Sequence, residues 1–223
     1  MSTSSPPPKR VRGFEKNRLE ALIDGIFAVA LTLLVLDIKL PDTQAFATND
    51  ALWRRLLELE RHFAIYVISF VVIGMYWISH HIQFHFVRYT DRALIWIDMF
   101  YLLLISFVPF ATDLMGDHKD LVLPCEIYGV TLLGLSALSF LHLEYLSRHP
   151  YLTTAELTPE IVRLIKHRIL LFMLIPLASM VIAFYSTHIA VYTYMLLVLA
   201  HFSTGPVDEH VHTQPASDAG PEN

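Results

Sequence analysis

The feature that most constrains the fold is a long run of uncharged residues toward the C-terminal end of the chain. No Asp, Glu, Lys or Arg occurs between Ile169 and Phe202, and most side chains in this run are aliphatic or aromatic. One transmembrane helix needs about 20 mostly apolar residues, so the run is too long for one span and slightly short for two full ones. The sequence therefore predicts two spans joined by a tight turn near Ser186, Thr187 and His188.

The overall composition excludes several classes of protein. Of the 223 residues, 54% are hydrophobic and 17% are charged, whereas soluble proteins have about 25% charged residues. The mean hydropathy is +0.48. These values exclude a soluble enzyme, a disordered protein and a nucleic-acid-binding protein. The single cysteine, Cys125, excludes an intramolecular disulfide and any CxxC metal or redox motif.

Further apolar segments precede the uncharged run. They lie at about 19–40, 63–87, 94–112 and 121–143. Together with the two spans in the uncharged run, they predict an all-α integral membrane protein with six transmembrane helices. The sequence around Trp53 predicts a helical extension of the second span.

The two ends of the chain differ from this apolar middle. Residues 1–17 are rich in Ser and Pro and then basic, and residues 203–223 contain several Pro and Gly. Such compositions do not supply a hydrophobic core. We therefore expect a disordered basic arm over 1–17, a six-helix transmembrane domain over 18–202 and a disordered tail over 203–223.

The distribution of basic residues predicts the orientation in the membrane. Eleven of the 16 Lys and Arg residues lie in the N-terminal arm and in the loops after the second and fourth spans. The other five lie on the opposite side. Because cytoplasmic loops carry the excess of Lys and Arg, we expect both termini to be cytoplasmic.

A few ionisable residues lie inside or near the spans, where each is costly unless it is paired or faces water. Asp24 lies near the start of the first span, and Arg18 precedes it by about one and a half turns. The two residues form either an interfacial ion pair or part of a functional site. Asp98 and Glu126 are either proton or cation sites or ordinary interhelical hydrogen-bond partners.

The first span has a distinctive face. At 100° per residue, one stripe of roughly 120° holds a glycine, three branched aliphatic residues and one hydroxyl: Gly25, Val29, Thr32, Leu33 and Leu36. Asp24 is expected to point away from this stripe, into the protein. The stripe fits either a dry constriction that gates a pore or a surface against lipid or a neighbour, with Thr32 bonded to the Ala28 carbonyl.

The second span carries a Trp/His cluster, comprising Trp77, His80, His81 and His85. Three histidines at this spacing admit an iron or zinc site, as in a membrane desaturase or hydroxylase. Such an enzyme needs several histidine boxes, and His142 and the other histidines form no second one. Packing of the cluster against the first helix, with a hydrogen bond to Asp24, is the favoured interpretation, and no metal site is expected.

The segment that starts at Arg18 resembles the first helix of the transmembrane protein 175 family of potassium channels. The family motif is R-x-x-x-F-S-D. Arg18 and Asp24 match it, while Leu22 and Ile23 replace the Phe and the Ser. The stretch from Trp77 to His81 also resembles the Trp/His signature of the family's second helix.

This resemblance implies a function and an assembly. Bacterial members have one six-helix unit per chain and form tetramers in which the first helices line the pore, without a re-entrant filter loop. The resemblance thus implies a homotetrameric, weakly potassium-selective channel in a prokaryotic cell membrane. It implies that the chain is not an enzyme and needs no cofactor besides the permeant potassium ion. The expected partners are further copies of the chain and membrane lipids, but not nucleic acid.

The resemblance also implies roles for individual residues. Val29, Leu33 and Leu36 match the gate and the other hydrophobic layers of the pore, and Thr32 matches the pore threonine that contributes to selectivity. The structural network that holds the first helix is implied to contain Arg18, Asp24, Trp77, His80 and His81. The alternative function is an ion- or proton-coupled transporter that uses Asp24, Asp98 or Glu126.

Overall fold

The computed structural model describes residues 16–39, 48–118 and 120–196. Within these ranges the chain forms seven α-helices: α1 Lys16–Leu33, α2 Asn49–Glu58, α3 Glu60–His85, α4 Arg92–Asp117, α5 Val122–Arg148, α6 Pro159–Ala183 and α7 Thr187–Thr193. A 3-10 turn, Leu34–Asp37, extends α1, and a second one, Pro150–Leu152, follows α5. Five of these helices, α1 with its 3-10 turn and α3 to α6, are long and apolar enough to cross a membrane. The chain is therefore an all-α integral membrane protein.

The predicted sixth span is described only in part. Helix α6 ends at Ala183 and α7 begins at Thr187, with the Ser186 side chain accepting a hydrogen bond from the Ile189 amide. The chain thus breaks where the sequence predicts a tight turn. Residues 197–202 lie outside the described residues, so the described part contains five spans, and a sixth stays a prediction.

The predicted disordered ends also fall largely outside the described residues, at 1–15 and 203–223. Helix α1 already begins at Lys16, inside the arm predicted over 1–17. The Lys16 ammonium lies 5.6 Å from the centre of the Phe84 ring on α3, which ties the start of α1 to its neighbour.

The helices extend beyond the apolar segments because polar residues cap them. Asp91 precedes α4, and its Oδ1 accepts a hydrogen bond from the Leu94 amide at 2.9 Å. Burial alone raises the pKa of Asp91, but hydrogen bonds from Tyr145, the Leu94 amide and Tyr151 prevail and lower it. At α6, Thr158 is the cap and Pro159 occupies the first turn, so this helix starts well before the uncharged run.

Hydrogen bonds made by buried side chains hold α3 against α5 in the interior. Helix α5 lies between α4 and α6, and α1 packs on α3 and α4. The Tyr76 hydroxyl on α3 donates to the Leu132 carbonyl oxygen of α5 at 2.9 Å. About two turns earlier on α3, the hydroxyl oxygen of Ser69 lies 3.1 Å from that of Tyr128 on α5. Such bonds stabilise helix pairs in lipid, where apolar contact alone gives little driving force.

The Met180 side chain of α6 packs directly against Gly129 of α5. A Cβ atom at this position would lie 2.5 Å from Met180 Cγ on α6, whereas one at Gly74 on α3 would meet nothing within 4 Å. We expect Gly129→Ala to lower the free energy of unfolding by about 1–3 kcal/mol, because the added methyl group overpacks the interface. The matched variant Gly74→Ala is expected to be neutral or to stabilise the helix by up to about 1 kcal/mol. Denaturant unfolding of the purified protein compares the two, and equal midpoints would contradict the close approach.

Candidate functional site

Helix α1 has a buried face that fixes its rotation about its own axis. One residue per turn packs into the core, at a spacing of three or four: Leu19, Ile23, Phe27, Ala30 and Leu34. The Phe27 ring centre lies 6.1 Å from that of Tyr101 on α4. These contacts decide which side chains α1 presents outward.

The outward face of α1 is apolar and exposed in the single chain. Val29, Leu33 and Leu36 have exposed fractions of 56%, 41% and 63%. Gly25 and Thr32 are exposed on the same side. The structure therefore brings all five residues of the predicted stripe together, on the side of α1 that no other described part of the chain covers. In a membrane this face meets either lipid or another protein surface.

The hydroxyl group of Thr32 is bonded to its own helix. Its Oγ1 lies 3.0 Å from the Ala28 carbonyl oxygen and 2.9 Å from that of Val29. The hydroxyl hydrogen is thus directed at the backbone. Because a hydroxyl has one hydrogen and two lone pairs, the remaining lone pairs of Oγ1 face outward and can only accept. An oxygen in this state suits contact with a cation.

Asp24 joins α1 to α3 through Trp77. The indole Nε1–H donates to Asp24 Oδ1 at 2.8 Å, and the indole stacks on His81 with ring centres 5.5 Å apart. The expectation that Asp24 points into the protein needs correction, because Asp24 is exposed on the flank of α1 and Trp77 reaches it from the side. Arg18 is exposed as well, and the structure shows no ion pair between Arg18 and Asp24.

His80 belongs to a different group from Trp77 and His81. It is buried, and its Nε2 lies 3.1 Å from Asp98 Oδ1 on α4. His142 on α5 approaches the same oxygen, with its Nε2 at 3.5 Å. The network implied by the resemblance is therefore two separate groups, because neighbouring residues on a helix point about 100° apart. Sequence analysis did not place His142 in a site, although a polar residue within an apolar segment is a signal for one.

Glu126, the other acidic residue singled out in the spans, lies far from both groups. It is half-buried near the start of α5, and its Oε1 has no hydrogen-bond partner among the described residues. It does not join Asp24 or Asp98 in a continuous path of acidic groups.

Comparison with known proteins yields both sequence and structural relatives. Residues 18–109 match the model of the family described as endosomal/lysosomal potassium channel TMEM175. A potassium channel of Streptomyces collinus is 39% identical over 104 residues, which is 47% of this chain and 49% of that protein. A potassium channel of a Chryseobacterium species is 32% identical over 129 residues, which is 58% of this chain and 63% of that protein. The match thus spans between about half and 63% of the length of these curated relatives.

Among solved structures, the chain resembles the crystal structure of a lysosomal potassium-selective channel TMEM175 homolog from Chamaesiphon minutus. The TM-score is 0.72 at 26% sequence identity, over 86% of this chain and 98% of that one. The matched family is one of ion channels and not of enzymes. The resemblance drawn from Arg18, Asp24 and the Trp/His signature is therefore confirmed: the chain is similar to the TMEM175 family by sequence over residues 18–109 and to the Chamaesiphon minutus homolog in fold over 86% of its length.

Proposed function

We propose that the chain forms a homotetrameric potassium channel whose axial pore is lined by α1 of each copy. The observation that carries this proposal is the apolar outward face of α1, which holds Val29, Thr32, Leu33 and Leu36. The names of the bacterial relatives support potassium as the permeant ion. A channel accounts for both faces of this helix. The buried face packs against the rest of the chain, and the exposed face lines the pore with aliphatic side chains and one hydroxyl group.

The gate of this channel is a hydrophobic constriction. Val29 and Leu33 lie one turn apart on α1, and Leu36 follows on the 3-10 turn that extends it, exposed like the other two. At about 1.5 Å per residue in α1 and about 2.0 Å in the 3-10 turn, they cover about 12 Å along the pore axis. In a tetramer each position gives a ring of four aliphatic side chains, and a narrow apolar segment closes by losing its water.

Selectivity comes from the ring of Thr32 hydroxyl groups between the aliphatic rings. Their outward lone pairs replace part of the hydration shell of an ion, and potassium gives up its water at a lower cost than sodium. Without a rigid cage of carbonyl oxygens, the preference for potassium is weak.

The setting of the channel is the cell membrane of a prokaryote, with both termini in the cytoplasm. The bacterial origin of the relatives supports the first point, and the eleven basic residues on one side support the second. The partners are other copies of the chain and membrane lipids. No nucleic-acid partner, enzymatic activity or cofactor is part of the proposed function.

Flux through liposomes tests this function. Purified full-length protein is reconstituted, and an outward potassium gradient is imposed with no gradient of protons or other ions. We expect passive potassium efflux that continues when an ionophore lets another ion carry compensating charge and stops when no such ion can cross. We also expect the mass of four chains in detergent. Efflux that requires an opposing ion or proton gradient would overturn the channel in favour of a coupled transporter.

The effect of Thr32→Ala separates the two possible sources of selectivity. We expect the reversal potential under a potassium/sodium gradient to move toward zero, since the alanine ring offers no oxygen to replace water. Thr32→Ser keeps the hydroxyl and is the matched control, with a reversal potential close to that of the parent. If Thr32→Ala tetramers keep the parent's reversal potential, the aliphatic rings select the ion and the hydroxyl does not.

A further inference from the structure

We propose that His80, Asp98 and His142 form a binding site for a divalent transition metal ion of the zinc type, buried between α3, α4 and α5. This site is separate from the proposed pore. It also revises the expectation that the chain holds no metal, which looked for histidine boxes along the sequence and not for ligands from different helices.

The three residues offer the right kind and number of ligand atoms. Each comes from a different helix, and each side chain is almost fully buried, with at most 3% exposed. Two imidazole nitrogens and a carboxylate are a common ligand set for zinc, with a fourth position left for a water molecule or for the second carboxylate oxygen. The set combines ligands from three helices, so it does not depend on a histidine box.

The distances fit a single ion. His80 Nε2 and His142 Nε2 lie 3.1 and 3.5 Å from Asp98 Oδ1. One ligand atom from each residue lies within 4.8 Å of the others. Tetrahedral zinc with bonds of 2.0–2.2 Å separates its ligands by about 3.3–3.5 Å. Small side-chain shifts are sufficient to place an ion at the centre.

Two buried atoms at the site have no hydrogen-bond partner in the part of the chain that the structure describes. They are His142 Nε2 and Asp98 Oδ2. Buried polar atoms of native proteins are normally paired, so each such atom needs an explanation. A metal ion between the two side chains supplies it.

The tautomer of His142 also favours a cation between its Nε2 and the Asp98 carboxylate. Gln83 Nε2 donates to Ser139 Oγ at 2.7 Å, which leaves Gln83 Oε1 facing His142 Nδ1 at 3.1 Å. Since this oxygen can only accept, His142 Nδ1 carries the hydrogen. In a neutral imidazole Nε2 then presents a lone pair to the Asp98 carboxylate, and two acceptors repel each other unless a cation lies between them. The Gln83 contact is also the kind of second interaction that orients metal-binding histidines.

One of the three ligands, His80, also borders a small cavity on the flank of α1. This cavity, with about 10 Å³ of space open to the centre of a water molecule, is lined by Glu20, Asp24 and His80, among others. This is close to the room that one water molecule needs. The two carboxylates at the cavity attract a cation, and His80 is the buried ligand beside them.

Metal content of the purified full-length protein tests the site. The protein is stripped with a chelator, dialysed against zinc and then against buffer, and analysed by mass spectrometry. We expect about one zinc per chain. Asp98→Asn and His142→Gln are expected to reduce this to the level of a protein-free blank. Gln83→Leu is expected to weaken the affinity by about 10–100-fold, because it releases the oriented imidazole.

His85→Gln is the matched control, since His85 lies on the same helix as His80 but is more than half exposed. It should bind zinc as the parent does. Zinc retained by both ligand variants, or lost only in the control, would overturn the site and assign the metal to surface histidines.

Cobalt absorption is a second measurement, made on the parent protein, so it does not require the ligand variants to fold. Cobalt bound to the folded parent protein should give the intense visible bands of a four-coordinate site, and added zinc should remove them. A folded, monodisperse parent that binds neither zinc nor cobalt would overturn the proposal, and the three side chains would then be linked by a proton.

Discussion

A chain carrying Leu33→Cys is expected to lose about nine tenths or more of its potassium flux when it reacts with a small, positively charged thiol reagent. The reagent places a fixed charge inside a dry ring of aliphatic side chains. Charge in such surroundings is costly for a cation that must pass it, and each 1.36 kcal/mol added to the barrier reduces the rate tenfold. Val29→Cys and Leu36→Cys should respond in the same way. The measurement is potassium efflux from liposomes before and after the reagent.

The native chain is a suitable background for this experiment. Its single cysteine, Cys125, is buried with 1% exposed, so the parent should be insensitive to the reagent. Leu103→Cys is a matched control, because Leu103 is 62% exposed on α4 and lies outside the proposed pore. If modification at Leu33 has no more effect than at Leu103, α1 does not line the conduction path.

Loss of the bond between Asp24 and Trp77 is expected to weaken the attachment of α1 to α3. A hydrogen bond to a charged group contributes about 1.5–3 kcal/mol. Asp24→Ala and Trp77→Phe should each lower the free energy of unfolding by about this amount, and the double variant should cost little more than either single one. Asp24→Asn should be milder, since its amide oxygen still accepts from the indole.

Ion selectivity should survive these changes in every variant that still assembles. Asp24 and Val29 are five residues apart, which places them about 140° apart around the helix. Unfolding in denaturant gives the coupling energy, and the reversal potential gives the selectivity. Additive costs of the two single substitutions would show that the bond contributes nothing, and a folded Asp24→Asn channel without selectivity would place Asp24 in the ion path.

The sequence predicts where the apolar core of each span lies better than it predicts where the helices end. Hydropathy located the break before Thr187 and the core of every described span. It placed the start of α6 too late, because the helix begins at Pro159 among charged residues that a window of apolar residues does not include. Thr158 and Pro159 set this boundary through local hydrogen bonding and backbone geometry, which are independent of hydropathy.

The candidate site also contains features that the sequence predicts and features that it does not. The outward face of α1 was predictable because Val29, Thr32 and Leu33 belong to one helix with a fixed period, and Leu36 stays exposed although the chain tightens into a 3-10 turn at Leu34. A hydrogen bond from the Trp/His cluster to Asp24 was predictable as the favoured use of these polar residues, but the sequence did not single out Trp77 as the donor. The meeting of His80 with His142 was not, because it depends on how α3, α4 and α5 pack against one another. Helical periodicity says which residues share a face and not which faces meet.

In the proposed tetramer, the apolar outward face of α1 has a consequence for how the subunits stay together. Lipid chains accommodate Val and Leu as well as a neighbouring helix does, so removing this face from lipid gains little free energy. Subunits that meet along such a face are held by close packing, for which Gly25 and Ala28 leave room on the exposed side of the helix. The fraction of chains that assemble therefore depends on the mole fraction of protein in the bilayer and not on its concentration in water. Diluting the reconstituted chain with lipid shifts the balance toward single subunits, each folded but unable to enclose a pore.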